Sequence, residues 1–332
     1  SSKKMRILVT GGAGFIGAHL TEKLIRQKHK LLVVDSLATT GGIPYINPKS
    51  KFINGDITED KIIKKIEKWR PEIIYHLAAQ SGSEGAYDNP KKDYMSNGFG
   101  TYKLTLLAKK IKVKHFVYTS TVAVYGSSPV KKITEKSKIK PDSIYGISKY
   151  AGEMFVDQVL GDTKVKTAIF RIFNTYGPGE DLNFLKKGMV SIYCSYVWQK
   201  KPIIVKGKLE RFRNLNLIDD CIEILAKTLK NKKLKKNEII NLSSGKMSTV
   251  KEIIEAILKA RNLKNYKIII KKGTPGDSFG LNASNKYLLK KFKGFKFSSL
   301  SRGLKIYFKW IDTLPTNKSI KKFHPLNTKT AK

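Results

Sequence analysis

Short apolar runs alternate along the chain with longer stretches in which apolar residues recur every three or four positions. Arg6 to Thr10, Leu31 to Asp35, Lys51 to Asn54, Ile73 to Ala78, His115 to Thr119 and Thr167 to Phe173 read as strands, most of them apolar nearly throughout. Strands buried on both faces look like this. Between them, Gly17 to Gln27, Asp60 to Lys68, Asp93 to Ile111 and Tyr145 to Val159 carry the helical period. The alternation predicts an α/β fold, a doubly wound parallel sheet with helices on both faces. After Gly177-Pro178-Gly179 the rhythm loosens into a helix at Gly188 to Gln199, a strand at Ile203 to Val205, and helices at Asp219 to Leu229, Thr249 to Ala260 and Leu300 to Ile311. A smaller α/β C-terminal lobe is expected there. The boundaries are drawn at 5–176 for the first domain, rejoined by about 213–242, at 177–312 mainly for the second lobe, and at 313–332 for a polar tail.

With 332 residues, 41% hydrophobic and 27% charged, the chain buries a real core, which excludes wholesale disorder. The longest stretch free of Lys, Arg, Asp and Glu, His115 to Val130, contains Ser, Thr and Gly and falls short of the ~18 apolar residues of a membrane span. No membrane association and no apolar signal segment at the first residues are therefore expected. Cys194 and Cys221 form no C-x-x-C, and the histidines have no ligand spacing, so neither a disulfide framework nor a metal site is expected. The cytoplasm is the expected compartment. A formal net charge of +39 raises nucleic acid as a partner, but the basic residues are 57 Lys and only 8 Arg, with Lys-Lys pairs scattered from 64-65 to 321-322. Arg, with its planar fork, is the residue of phosphate and base recognition. Lysine bias of a solvated surface is the first reading, and a functional basic face the second.

Thr10-Gly11-Gly12-Ala13-Gly14-Phe15-Ile16-Gly17 follows the first strand and opens the first helix. In that context glycines let the backbone reach a pyrophosphate, and the free N–H groups of the helix start face it. Asp35 ends the second strand 18 residues after Gly17, placed to accept from a ribose 2′-hydroxyl and to repel a 2′-phosphate. NAD is thus expected rather than NADP. Tyr145 and Lys149, four apart at the head of a helix, share one face. A cation there should favour the phenolate and make Tyr145 a general base. Upstream, Tyr118 to Gly126 ends a strand in hydroxyls, offering a donor that can share a substrate hydroxyl with Tyr145. Ser81, after the fourth strand, lies where a sugar would enter. His76 reads as a satisfied core histidine, and Asp219-Asp220 as helix N-caps.

These motifs resemble the extended short-chain dehydrogenase/reductase superfamily, in its nucleotide-sugar epimerase/dehydratase branch. The resemblance spans about residues 5 to 312 and adds Gly55-Asp56-Ile57, His76-Leu77-Ala78-Ala79-Gln80, Arg171 to Gly179, Arg213 to Asp220 and Pro275-Gly276-Asp277. It implies a Rossmann domain in which Gly11, Gly14, Phe15, Ile16, Gly17 and Asp35 hold NAD and Asp56 and Ile57 meet the adenine. It also implies that Ala78, Ala79 and Lys149 flank the ribose and nicotinamide. Thr121, Tyr145 and Lys149 match its catalytic positions, and Asn174 and Arg213 match contacts to the diphosphate of a nucleotide-diphosphate sugar. A homodimer is implied as well, through the helices Asp93 to Ile111 and Tyr145 to Val159, with Leu104, Leu107, Phe155 and Val159 as apolar positions.

Two departures bear on the reaction. Dehydratases of this branch carry Asp-Glu after the catalytic Thr, where this chain has Val122-Ala123. Many relatives carry Arg before Pro-Gly-Asp, where it has Thr274, so Arg213, with Lys271 or Lys272, would carry more of the diphosphate charge. The expected activity is an NAD-dependent nucleotide-sugar epimerase, UDP-hexose 4-epimerase-like, working through a transient keto-sugar. A nucleotide-4-keto-sugar reductase and a non-catalytic RNA-binding relative are the alternatives.

Overall fold

The computed structural model describes residues 3–38, 44–79, 89–127, 132–183, 185, 188–273 and 278–314. Ser81, Thr274, Pro275-Gly276-Asp277 and most of the expected polar tail lie outside them. Seven strands form one parallel sheet in the order β10-β6-β5-β4-β1-β2-β3. They are β1 (Arg6–Thr10), β2 (Lys30–Asp35), β3 (Lys51–Asn54), β4 (Ile73–His76), β5 (His115–Thr121), β6 (Lys166–Ile172) and β10 (Asn237–Leu242).

Side chains in these strands alternate between two cores, as the two-residue period requires. Leu8, Leu32, Ile74 and Phe116 share one face with α2 (Asp60–Trp69), α4 (Gly100–Ile111) and α5 (Ile144–Leu160). Ile7, Val9, Leu31, Tyr75 and Val117 share the other with α1 (Phe15–Arg26) and α7 (Ile218–Lys227). Each fully buried Leu or Ile contributes about 1.5–3 kcal/mol. The chain leaves β1 towards β2 and β3 on one side and crosses to β4, β5 and β6 on the other, so the loops after β1 and β4 part and leave a crevice at the strands' carboxyl ends.

A second core gathers α6 (Met189–Trp198), β8 (Ile203–Lys206), α8 (Val250–Ala260) and α10 (Leu300–Ile311). Beside it lie a sheet of β7 (Asn174–Tyr176), β9 (Phe212–Leu217) and β11 (Met247–Thr249), and a pair formed by β8 and β12 (Ile268–Lys271). β9 thus belongs to the small lobe, and the return to the large sheet is made by α7 and β10. Leu288 of α9 (Lys286–Lys291) and Phe292 also pack in the large-sheet core.

Three expectations need correction. The helix foreseen from Asp93 is broken: α3 (Pro90–Asp93) runs into a π-helical turn, Tyr94–Phe99, before α4 begins. Asn89 caps α3, Gly98 and Gly100 loosen the turn, and the Thr101 hydroxyl donates to Asn97 O at 2.7 Å. Asp219 and Asp220 are not N-caps; Leu217 is, and Asp220 instead accepts from the Ser298 amide at 2.8 Å. Leu104 and Leu107 face the core, 0% and 3% exposed, because α4 turns that stripe onto the sheet. The exposed apolar side chains of this region are Tyr94, Phe99, Tyr102, Leu106, Ile147 and Met154. No helix among the described residues is long and apolar enough to cross a membrane.

Candidate active site

The turn from β1 into α1 is tight enough to exclude side chains at two glycines. Gly11 has φ +67°, and a Cβ there would lie 2.7 Å from Ala78 N; a Cβ at Gly17 would lie 2.2 Å from Gly11 O. Gly14 caps α1 without a side chain, leaving the positive end of the helix dipole towards the cleft. Asp35, at the end of β2, ties the loop down: Oδ2 accepts from Ala13 N at 3.0 Å and Oδ1 from Leu37 N at 2.8 Å. Each carboxylate oxygen retains acceptor capacity for a ribose hydroxyl.

Gly11, Gly14, Phe15, Ile16, Gly17 and Asp35 line one wall of the crevice. Asp56 and Ile57 close the β3 end, and Ala78 and Ala79 close the floor after β4. The floor is braced by His76. Thr10 Oγ1 accepts from the amides of Leu77 and Ala78, both at 3.1 Å, and its proton goes to His76 Nδ1 at 2.7 Å. The opposite ring nitrogen donates to Thr101 Oγ1 at 2.7 Å, whose own proton is used on Asn97 O. Burial and the Lys149 charge pull the His76 pKa down to about 3, so it is a neutral brace, as the sequence reading had it.

Thr121, Tyr145 and Lys149 line the same crevice one strand further on. Thr121 ends β5 and caps a short 3-10 turn, Val122–Tyr125, by accepting from Ala123 N at 3.2 Å. Ser143 caps α5 by accepting from Gly146 N at 3.0 Å, and Gly146 lets α5 abut that turn, since a Cβ would lie 2.5 Å from Ala123 O. The abutment brings Tyr145 into hydrogen-bond contact with the Thr121 hydroxyl. Lys149 Nζ sits 4.5 Å above the centre of the Tyr118 ring.

The electrostatics differ from expectation. Burial raises the Tyr145 phenol to about 12; the Thr121 hydrogen bond pulls it back and the Asp93 charge adds to the rise. Burial likewise lowers Lys149 to about 7, against the pull of Glu153 and Asp93. Desolvation is the largest cause for both groups, and the expected help of the Lys149 charge to the phenolate is not among the causes acting on Tyr145.

Behind α5, Glu153 and Arg171 form a two-bond pair, Nη2 to Oε2 at 2.7 Å and Nε to Oε1 at 3.0 Å, each side chain 3% exposed. Arg171 also donates to the Tyr125 hydroxyl at 2.9 Å, which donates to Asn241 at 2.6 Å, locking the 3-10 turn after β5 to β6 and β10.

Asn174 lines the crevice on the small-lobe side, with Glu180 and Gly188, which the sequence reading missed. Arg213 is not among the lining residues: its guanidinium donates to Phe212 O at 2.7 Å and Phe279 O at 3.2 Å. Lys271 and Lys272 border a separate hollow with Gly207 to Glu210. Among the described residues no group of His, Cys, Asp and Glu could hold a metal ion.

A side-chain-free turn against a helix start, with an acceptor at the neighbouring strand end, fits a dinucleotide. The sequence family described as NAD dependent epimerase/dehydratase matches residues 7–243. This chain belongs to that family. A Methanocaldococcus jannaschii protein described as a candidate UDP-glucose 4-epimerase is 33% identical over 76% of this chain and 81% of its own. Human dTDP-D-glucose 4,6-dehydratase is 31% identical over 76% of this chain and 74% of its own. The crystal structure of a Thermotoga maritima UDP-glucose 4-epimerase with UDP-glucose superposes with a TM-score of 0.85 at 28% identity, covering 93% of this chain and 99% of that one. NAD is the family's cofactor. The loop from β1 to α1, Asp35, Asp56 and Lys149 are the residues of this family member placed to hold it.

Proposed function

We propose that this family member is a nucleotide-sugar epimerase of the UDP-hexose 4-epimerase kind. The observation that carries the reading is the pair of residues after Thr121: the side chains of Val122 and Ala123 have no proton to give, and Val122 lines the crevice beside Tyr145. Elimination of water needs an acid to protonate the departing hydroxyl. Of the acids lining the crevice, Asp35 and Asp56 stand at the opposite end, and Glu180 is engaged by the Ser191 hydroxyl at 2.6 Å and the Gly177 amide at 3.2 Å.

Tyr145 takes the proton of a sugar hydroxyl and later returns it, while Thr121 orients that hydroxyl. NAD held by the loop from β1 to α1, Asp35 and Lys149 would supply reversible hydride acceptance, and its positive charge would favour the Tyr145 phenolate that burial otherwise resists. Lys149 donates to the ribose and keeps positive charge near Tyr145. Asn174 receives the nucleotide diphosphate, and Arg213 joins it by exchanging its two carbonyl partners for phosphate oxygens, a change of rotamer on a strand two residues from the pairing partner of Asn174. Ser81, which follows β4 in the sequence, is a candidate sugar contact.

Tyr94 of the π-helical turn, Leu106 of α4, and Ile147 and Met154 of α5, 65%, 43%, 55% and 47% exposed, offer apolar side chains to a homodimer. Light scattering at micromolar concentration should return twice the chain mass; a monomer removes the dimer. Both cysteines are free and buried, in keeping with a cytoplasmic enzyme. The activity is tested with a panel of UDP-, GDP-, CDP- and dTDP-sugars. One should be converted to a stereoisomer of equal mass with no net NAD consumption. Loss of water would mean a dehydratase, stoichiometric NAD(P)H use a reductase, and no conversion beside tight RNA binding a non-catalytic relative.

A further inference from the structure

At the foot of α3, where the π-helical turn begins, lies a carboxyl that the crevice does not touch. Asp93 is 0% exposed. Its Oδ2 is 3.5 Å from the Ser148 hydroxyl, and its Oδ1 makes no hydrogen bond among the described residues. Ser148 has a better acceptor in Tyr145 O, at 3.0 Å, and its oxygen takes the Asn97 amide at 3.0 Å. A buried carboxylate with so little hydrogen bonding stays charged only if a cation faces it.

Lys149 is that cation. Acting on it are the Tyr118 ring from β5, neutral His76 from β4, Glu153 from α5 and Asp93 from α3, with Tyr145 one helical turn before it on α5. Lys92, beside Asp93 on α3, adds a weaker positive influence than Lys149. Two acids act on Lys149, and one is committed elsewhere: both Glu153 oxygens are bonded by Arg171, and Oε1 also takes the Ser120 hydroxyl. Asp93 has no such partner. The two groups are matched in strength as well as place, since burial raises Asp93 to about 6 and lowers Lys149 to about 7.

We infer that Asp93 is a positioning residue: the uncommitted counter-charge that holds the Lys149 ammonium in a desolvated site and so sets the pH limit of the Tyr145 and Lys149 machinery. The inference rests on the proposal that Lys149 serves the crevice. Asp93 itself touches neither cofactor nor sugar.

The isosteric Asp93→Asn variant tests it with two measurements that use no sugar. A carboxyl whose folded pKa is raised carries its stability below the unfolded value near 3.8 and loses it as pH rises through about 6. The variant should therefore melt with wild type near about pH 4 and melt higher near about pH 8, the reverse of what loss of a structural hydrogen bond does. NADH, whose ring carries no positive charge, is the probe for the second measurement. Its affinity should fall as Lys149 loses its proton, and in Asp93→Asn that fall should move to lower pH by about one unit. In a Lys149→Met background, adding Asp93→Asn should leave the NADH profile unmoved. Superimposable NADH profiles, or a variant that is less stable near about pH 8 or does not fold, would overturn the inference and leave Asp93 a structural residue. A wild type that binds NADH but converts no sugar would sink the epimerase reading and leave this test standing.

Discussion

Two acid and base couples each have one member on α5, Lys149 and Glu153, one helical turn apart, and the protein treats them oppositely. Glu153 and Arg171 are 3% exposed and joined by two hydrogen bonds, and Glu153 accepts further from Ser120 while Arg171 donates further to Tyr125. Lys149 and Asp93 are as deeply buried, yet no hydrogen bond joins them, and burial has pushed both towards neutrality. A satisfied pair fixes geometry and resists titration. An under-satisfied one keeps its proton balance within reach of neutral pH, which catalysis needs and stability does not.

The largest effect that could break this contrast is on the front couple's neighbour. Tyr145→Phe removes the phenol and keeps the ring, and kcat on the identified sugar should fall about 10²- to 10⁴-fold with melting almost unmoved. Near wild-type turnover would mean that the unsatisfied couple is not the catalytic one.

Arg171→Met puts the same question to the rear couple, where the cost should appear in stability. Leaving Glu153 buried without its partner should cost about 3–5 kcal/mol by urea unfolding. A loss under about 1 kcal/mol would show that the pair is not the lock it looks like.

Lys149→Met sharpens the contrast by its sign. Lysine with a folded value near 7 weakens the folded state at lower pH, and that penalty is relieved as pH rises from about 7 towards 10.5. The variant should therefore exceed wild type by about 1–3 kcal/mol near neutral pH, with the gap closing in alkali, while NADH binding weakens about tenfold. A destabilised variant would put Lys149 with Arg171.

Asp35→Ala is the smallest change. This acid is only partly buried and is held by two backbone amides, so it should behave like neither couple. NAD binding should weaken about tenfold and the bias against NADP should shrink, measured by calorimetry with each dinucleotide. Unchanged binding removes Asp35 from the crevice.

How far the site could be read in advance depends on how each residue reaches it. Gly11 to Gly17 and Tyr145 with Lys149 are local patterns, fixed by one strand-to-helix turn and one helical turn, and their side chains meet at the crevice without further information. Arg213 depends on which way a strand of the small lobe turns its face, and the pattern of β9 does not say. Leu104 and Leu107 form a proper helical stripe, but a stripe has no label for core or partner. Asp219 and Asp220 look like caps because the helix begins two residues sooner than their acidity suggests. Asp93 was invisible, because its environment is made by a π-helical turn and by α5, more than fifty residues away.

Periodicity, glycine placement and the spacing of Asp35, Tyr145 and Lys149 therefore determined the sheet, the dinucleotide turn and the candidate reacting groups. All of these depend on contacts within a few residues or on the two-residue and 3.6-residue periods. Only the tertiary structure decided which buried charges are satisfied. That depends on the donors and acceptors which distant strands and helices bring to one point, and on how far they exclude water there.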